Sequence, residues 1–185
     1  MSNEDLSIVN RIRLGDSQSY AVLVDRYKDR VFSLVLGIVR SREVAEEVAQ
    51  DVFIKAYSSL NKFREESSFS TWLYRIAYNT AISETRKRKM PLVSLEEHEH
   101  LTARISYEED DDLVEERHQQ LKRAITELNP EEQLILQLYY REEKSVEDLS
   151  LCLNQTNANI KIKLFRLRNK IRSLMEEMTR LAVFL

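Results

Sequence analysis

The chain has 185 residues but only two glycines and two prolines, and this scarcity of backbone breakers constrains the fold more than any other feature. Tight hairpins draw on glycine and on Asn-Gly or Asp-Gly pairs, and sandwiches and barrels need many such turns. Gly and Pro inside a helix cost about 1 and about 3 kcal/mol relative to Ala, so a chain poor in both suits long helices. Phosphate-binding loops and dinucleotide fingerprints are excluded with the β folds, because both are glycine-rich. With 43% hydrophobic and 32% charged residues, the sequence predicts an all-α protein. No apolar run approaches the ~20 residues that span a bilayer, and the opening MSNEDLSIVNRIR lacks the apolar core of a signal peptide. Cys152 is the single cysteine and has no partner for an intramolecular disulfide, which fits a reducing compartment. The expectation is a cytoplasmic protein without membrane insertion.

Charge divides the chain. Residues 1–90 carry 15 basic and 12 acidic side chains, residues 91–120 carry 2 and 10, and residues 121–185 carry 11 and 9. The overall charge of −3 therefore conceals two weakly basic halves around an acidic centre, a pattern compatible with local nucleic-acid-binding faces. Glu108 to Asp112 are five consecutive acids, which repel one another and resist compact packing. The reading is a first domain over residues 1–90, an acidic linker over 91–112 and a second domain over 113–185. The linker is either a solvated tether or an electrostatic competitor of DNA.

Helical periodicity runs through the first domain. A first helix ends near Arg13 with Gly15 as its cap, and Asp16 or Ser17 caps the next, from about Ser17 to Val39. From Arg42 to Leu60, the residues Ala45, Val48, Ala49, Val52, Phe53, Ala56, Tyr57 and Leu60 share one face. Glu43, Glu47, Gln50, Asp51 and Ile54 lie opposite, either as a solvated acidic face with one stray Ile or as an acidic docking surface with an apolar centre. A polar loop with two aromatics follows, and Ser68 or Ser70 caps a helix beginning near Thr71. There Leu73, Ile76, Ala77 and Thr80 face the core, while Tyr74, Tyr78, Ala81 and Thr85 face away. Arg75, Asn79 and Ile82 flank Trp72, and the helix ends in Arg86-Lys87-Arg88-Lys89. Rings interleaved with cations suit unpaired nucleic acid, in which bases stack on rings and cations hold phosphates. They also suit a helix with amphipathic tyrosines at its boundary and a solvated basic end.

The second domain contains a helix-turn-helix. A helix from Leu113 to Leu128 carries the stripe Leu121, Ala124, Ile125 and Leu128. Asn129-Pro130-Glu131-Glu132 is a start signal: an N-cap, a proline in the first turn, and acids at the positive end of the dipole. The helix to Tyr140 is dense in apolar residues. Ser145 caps a short helix over Val146–Leu153, Asn154-Gln155-Thr156 is the turn, and Thr156 caps a longer helix from Asn157. On it Ile160, Leu164, Leu167 and Ile171 form the buried stripe. Six cations, Lys161, Lys163, Arg166, Arg168, Lys170 and Arg172, lie off that stripe, with no acid between residues 157 and 172. An amphipathic helix explains the stripe. The uncompensated cations behind a short turn point to DNA.

In combination these stretches resemble a known family. SSFSTWLYRIAYNTAISETRKRK, preceded by AEEVAQDVFIKAYSSLNKFR, resembles region 2 of sigma-70 factors. LNPEEQLILQLYYREEKSVEDLSLCLNQTNANIKIKLFRLRNKI resembles region 4 of the same family. Both in one short chain are similar to the extracytoplasmic-function group, which keeps only these two regions. The resemblance implies two small helical domains joined by a linker, core RNA polymerase and promoter DNA as partners, and an anti-sigma factor as a further partner. It implies polymerase docking through Glu43, Glu47, Gln50, Asp51 and Ile54. It implies −10 recognition and melting through Lys62, Phe63, Arg64, Ser67, Trp72, Tyr74, Arg75, Tyr78, Asn79, Arg86, Lys87 and Arg88. It implies −35 recognition through Thr156, Asn157, Asn159, Lys161, Ile162, Lys163, Arg166 and Lys170.

The sequence departs from the family pattern at Glu65 and Asn154, where glycine is usual, and at Ala158, where it is frequent. Asn tolerates the left-handed conformation best among non-glycine residues. No catalytic residue, metal or cofactor is assigned: Glu115 with His118 is half of a di-iron pattern that requires the pair twice. Cys152 reads as a buried structural thiol. The alternatives are a helical DNA-binding regulator that acts without polymerase and a protein-interaction adaptor, and the latter leaves the basic helix unexplained.

Overall fold

The computed structural model describes residues 3–89 and 112–183. The linker expected over 91–112 lies outside the described residues, apart from Asp112, which opens a helix. All regular elements among the described residues are helical. They are α1 (Asn3–Arg13), α2 (Tyr20–Val39), α3 (Arg42–Ser59), α4 (Phe69–Lys89), α5 (Asp112–Thr126), α6 (Pro130–Leu136), α7 (Val146–Leu153) and α8 (Asn157–Val183), with short 3₁₀ turns at Ser17–Ser19 and Leu60–Lys62 and a π-helical turn at Gln137–Arg141.

The start and stop signals act where the sequence places them. Gly15 adopts φ +105° after α1, a conformation that costs a residue without Cβ least. The Asp16 carboxylate accepts from the Ser19 amide and hydroxyl, so a 3₁₀ turn precedes α2 where a continuous helix is predicted. Ser41 caps α3, and the Ser68 hydroxyl accepts the Thr71 amide at 3.2 Å to cap α4. Asn129 and Glu132 form a capping box on α6, with Pro130 in its first turn, and Ser145 and Asp148 form a second on α7. Asn154 is left-handed, φ 54°, and Thr156 Oγ1 accepts the Asn159 amide at 3.2 Å. The turn and both helix-turn-helix caps thus match the sequence expectation.

In the first half α2, α3 and α4 pack on one another and α1 lies against α2. Leu23, Val31, Leu34, Val35, Val48, Val52, Leu73 and Ala77 are buried at the centre. Asp5 of α1 is also buried, accepting from the Tyr27 hydroxyl at 2.6 Å and paired with Arg26. In the second half α8 packs on α5, α6 and α7, burying Ile160, Leu164 and Leu167.

Two features differ from the sequence reading. The helix after Pro130 is α-helical only to Leu136 and then widens into the π-helical turn. Tyr74 and Ala81 are buried, because α4 is enclosed by α2 and α3 on one side and by α7 on another. The buried residues of the two halves also form one continuous apolar core, from Leu23 and Leu73 to Leu134, Leu149 and Ile160. Arg40, left-handed at the end of α2 (φ 58°), crosses the junction, donating to the Leu128 carbonyl at 3.0 Å.

Candidate nucleic-acid interface

The outer face of α3 carries Glu43, Glu47, Gln50, Asp51 and Ile54, all exposed, while Val44, Ala45, Val48, Ala49, Val52 and Ala56 of the same helix are buried. The 100° step of the helix produces this division. Ile54 is 63% exposed, an apolar side chain on an otherwise acidic surface. Tyr57 departs from the sequence reading, which places it in the core. It is 44% exposed and rests on Tyr20, ring centroids 4.9 Å apart, which adds an aromatic edge beside Ile54.

The loop before α4 is held from beneath by Arg13. Its guanidinium donates to the Leu60 carbonyl at 3.2 Å, to the Phe63 carbonyl, and to Glu65 Oε1 at 2.8 Å. Glu65 has φ 63°, the backbone conformation that favours glycine. The acid that replaces glycine is thus turned onto α1. Arg13 satisfies backbone groups that are costly to leave unpaired, and sequence reasoning missed it because it lies 47 residues and more before its partners.

Lys62 and Arg64 are exposed and Ser67 is half-buried. Phe63 is 3% exposed, so it does not form part of a surface. It packs on Trp72 and Phe69 at centroid distances of 5.2 and 6.0 Å, and this aromatic wedge sets the loop against α4. Trp72 remains half-buried. Arg75 and Asn79 are exposed and Tyr78 is half-buried. Tyr74 is 1% exposed; its hydroxyl donates to Glu142 Oε2 at 2.8 Å, and burial, with the carboxylate beside it, pushes the phenol well above its ordinary range. Phe63 and Tyr74 are therefore the two residues assigned to −10 DNA that the structure keeps from solvent. Arg86, Lys87 and Arg88 are exposed at the end of α4; Arg88 pairs with Glu84 at 3.0 Å and approaches Glu47 of α3 at 3.9 Å.

On α8, Asn157, Asn159, Lys161, Ile162, Phe165 and Arg166 are exposed, as is Thr156 before it. The cations are not as uncompensated as the sequence implies. Lys163 pairs with Glu131, and Lys170 with Glu132 at 2.7 Å: the acids that favour the start of α6 also neutralise one edge of α8. Arg168 donates to the Tyr140 hydroxyl at 2.7 Å and lies over the Tyr139 and Tyr140 rings. No ion-pair partner is present for Lys161 or Arg166 among the described residues. Cys152 is buried in α7, and burial pushes its thiol up to about 12, as suits an inert structural thiol.

Residues 23–90 match the family Sigma-70 region 2. The chain is 31% identical over 186 residues to the RNA polymerase sigma-H factor of Pseudomonas aeruginosa, covering 96% of each. It is 34% identical over 176 residues to the ECF RNA polymerase sigma-E factor of Escherichia coli K12, covering 90% of this chain and 92% of that one. Its fold resembles that of CnrH in complex with the cytosolic domain of CnrY, with TM-score 0.65, 16% identity, and coverage of 92% and 96% of the two chains. It also resembles the sigma factor RpoE in complex with the anti-sigma factor NepR from Bartonella quintana, with TM-score 0.67, 21% identity, and coverage of 86% and 98%. From end to end of the described helices, the chain belongs to the extracytoplasmic-function group of sigma-70 factors, the subunits that bind RNA polymerase and direct transcription initiation at promoters.

Proposed function

We propose that this sigma factor docks on core RNA polymerase through the outer face of α3, reads duplex −35 DNA with the N-terminal half of α8, and opens and reads the −10 element with the 62–71 loop and α4. The observation that carries the reading is Ile54, 63% exposed one turn beyond Gln50 and Asp51 on the face that also bears Glu43 and Glu47. An exposed apolar side chain at the end of an acidic row is the arrangement of a protein-binding patch, with an anchor to be desolvated and charges beside it. On α8, Asn159, Lys161, Ile162 and Arg166 present amide, cationic and apolar groups together. Those are the groups that pair with adenine, guanine and phosphate and meet thymine methyls in a major groove.

The factor performs no covalent chemistry in this reading. Melting draws on binding: stacking and pocket contacts on extruded bases, worth about 1–3 kcal/mol per base, offset unpairing that costs a few kcal/mol. The site of action is the cytoplasm, and an anti-sigma factor is a further partner. One neighbour that shares this fold, RpoE from Bartonella quintana, is co-crystallised with the anti-sigma factor NepR.

The test combines D51R with I54R. The double variant loses co-elution with core polymerase and run-off transcription from genomic promoters, while far-ultraviolet circular dichroism stays that of the parent. Co-elution equal to that of the parent removes α3 as the docking face.

A further inference from the structure

The loop before α4 takes its shape from a residue far ahead of it in the chain. Arg13 is the last residue of α1 and precedes residues 23–90, the stretch matched to Sigma-70 region 2. One arm of its guanidinium, Nη2, donates to the Leu60 and Phe63 carbonyls, and the other, Nη1, donates to Glu65 Oε1 at 2.8 Å. The guanidinium also lies over the Phe63 ring, 5.9 Å from its centroid, against the wedge that Phe63 makes with Phe69 and Trp72 of α4. The support from which Arg13 reaches is itself fixed. Arg11 grips Asp16 through Nε at 3.2 Å and Nη2 at 2.7 Å, and the buried Asp5 ties the start of α1 to Tyr27 and Arg26 of α2. A side chain projecting from a helix pinned at both ends can hold a loop to a defined geometry.

Stability alone does not account for this arrangement. The Arg13 and Glu65 side chains are 24% and 41% exposed, and ion pairs in such surroundings add little to folding. Glu65 is left-handed, φ 63°, a conformation that disfavours a residue with a Cβ and persists where the surroundings over-determine it. What the pair does is place charge. Lys62 and Arg64, two cations suited to phosphates, are followed by Glu65 and Glu66, two acids that repel them, and all four are exposed. Arg13 neutralises the first of these acids and holds it toward α1. Unpaired, the same carboxylate would stand within three residues of Lys62, Arg64 and Ser67, where its charge opposes that of a nucleic-acid backbone.

We propose that Arg13 is a positioning residue for −10 recognition: paired with Glu65, it holds the 62–68 loop in one shape and keeps the Glu65 carboxylate off the path of the phosphates, so that Lys62, Arg64 and Ser67 meet an unpaired strand without a competing negative charge. The proposal rests on the assignment of this loop to −10 DNA made above. A glycine at position 65 would be free of strain and of charge; glutamate makes the loop depend on α1. Neither Arg13 nor Glu65 belongs to the residues assigned to polymerase or DNA, and Arg13 acts through Glu65 rather than on the strand.

The experiment uses full-length protein reconstituted with core polymerase, with core alone as the blank. A randomised pool of 12-nucleotide single strands is partitioned on the parent holoenzyme, the bound strands are sequenced, and the most enriched strand becomes the probe for fluorescence anisotropy. The parent, R13Q, E65G and R13Q/E65G are compared; R13Q keeps an amide donor for the carbonyls and removes the charge. The expected loss on R13Q is at least tenfold in the parent background and at most threefold in the E65G background, where no carboxylate is freed. The loss in the parent background also shrinks as salt is raised, because screening shortens the reach of the freed charge. R13K, which restores a cation opposite Glu65, returns the affinity to within threefold of the parent. Losses equal in the two backgrounds and independent of salt overturn the proposal, as does an R13Q affinity equal to that of the parent. If R13Q does not co-elute with core, E65K decides instead: repelled by an intact Arg13, its loop loses the base preference seen in the parent selection, and an unchanged preference overturns the proposal. K62A/R64A tests the reading underneath. Undiminished strand binding by that variant removes the loop from −10 DNA altogether, whereas reduced binding by it beside undiminished binding by R13Q removes the role of Arg13 alone.

Discussion

Two positions on α3, two residues apart, should respond in opposite ways to the same truncation. Ile54 is 63% exposed and Val52 is fully buried. Burying a whole Ile side chain contributes about 1.5–3 kcal/mol, and roughly two-thirds of this one remains to be covered by a partner. Removing it in Ile54→Ala should therefore weaken core binding by about 1–2 kcal/mol, a factor of about 5–30 in Kd. The free protein should lose nothing, since surface truncations stay within about 0.5 kcal/mol and Ala is the better helix former. Val52→Ala removes two buried carbons and leaves a cavity, which costs about 2 kcal/mol of folding, and binding by the folded fraction should be unchanged. Titrating labelled factor with core polymerase, beside thermal melts of the same samples, measures both quantities. A core affinity of Ile54→Ala equal to that of the parent, or a melt lowered as far as that of Val52→Ala, refutes the reasoning that the exposed face is reserved for a partner.

On α8, Arg166→Ala should weaken duplex −35 binding by about 1–3 kcal/mol if its contact is bidentate to a base. Lys163→Ala should cost less, because Lys163 must first leave Glu131; a mobility-shift titration orders the two, and a larger loss for Lys163 contradicts the pairing. The raised Cys152 thiol contributes stability that is complete below the unfolded value near 9 and is lost as pH rises toward about 12. Urea midpoints measured between pH 8 and 10.5 should therefore fall more steeply for the parent than for Cys152→Ala, and parallel slopes would show the thiol to be solvated. Asn154, at φ 54°, should accept glycine within a few tenths of a kcal/mol, whereas Asn154→Ala should cost about 1 kcal/mol; equal melting temperatures for the two variants would remove the left-handed turn as the reason for Asn there.

The local elements were legible because their determinants are local. Caps at Ser68, Asn129, Ser145 and Thr156, the left-handed turn at Asn154 and the two faces of α3 each depend on residues within a few positions of one another. What was not legible depends on residues far apart in the chain. Glu65 reads as an acid close to DNA until Arg13, 52 residues earlier, is found to hold it. The six cations of α8 read as uncompensated until α6 places Glu131 and Glu132 beside two of them. Tyr74 and Ala81 read as outward-facing because helical periodicity identifies one buried stripe, and α4 is covered on more than one side. Tyr57 failed in the opposite sense: its spacing places it with the core, yet Tyr20 supports it from one side only. The junction between the halves was hidden most completely, since Glu142 and Lys144 carry no motif, Asp148 reads only as part of a helix cap, and their contacts with Tyr74, Ser70 and Thr71 lie some 70 residues away.

The π-helical turn at Gln137–Arg141 gives chain length a role of its own. A π turn accommodates one residue more than the α-helix it interrupts. Deleting a single residue there would close the widened turn into a regular α turn and leave the chain beyond it nearly in place. An added residue finds no such slack and would rotate everything downstream by about 100° and advance it by about 1.5 Å. Glu142 and Lys144 would then leave Tyr74 and Ser70 with no side chain altered, and α8 would keep its own cap. The relative orientation of the two halves is in this sense counted as well as bonded: the turn between 137 and 141 tolerates the loss of one residue and not the gain of one.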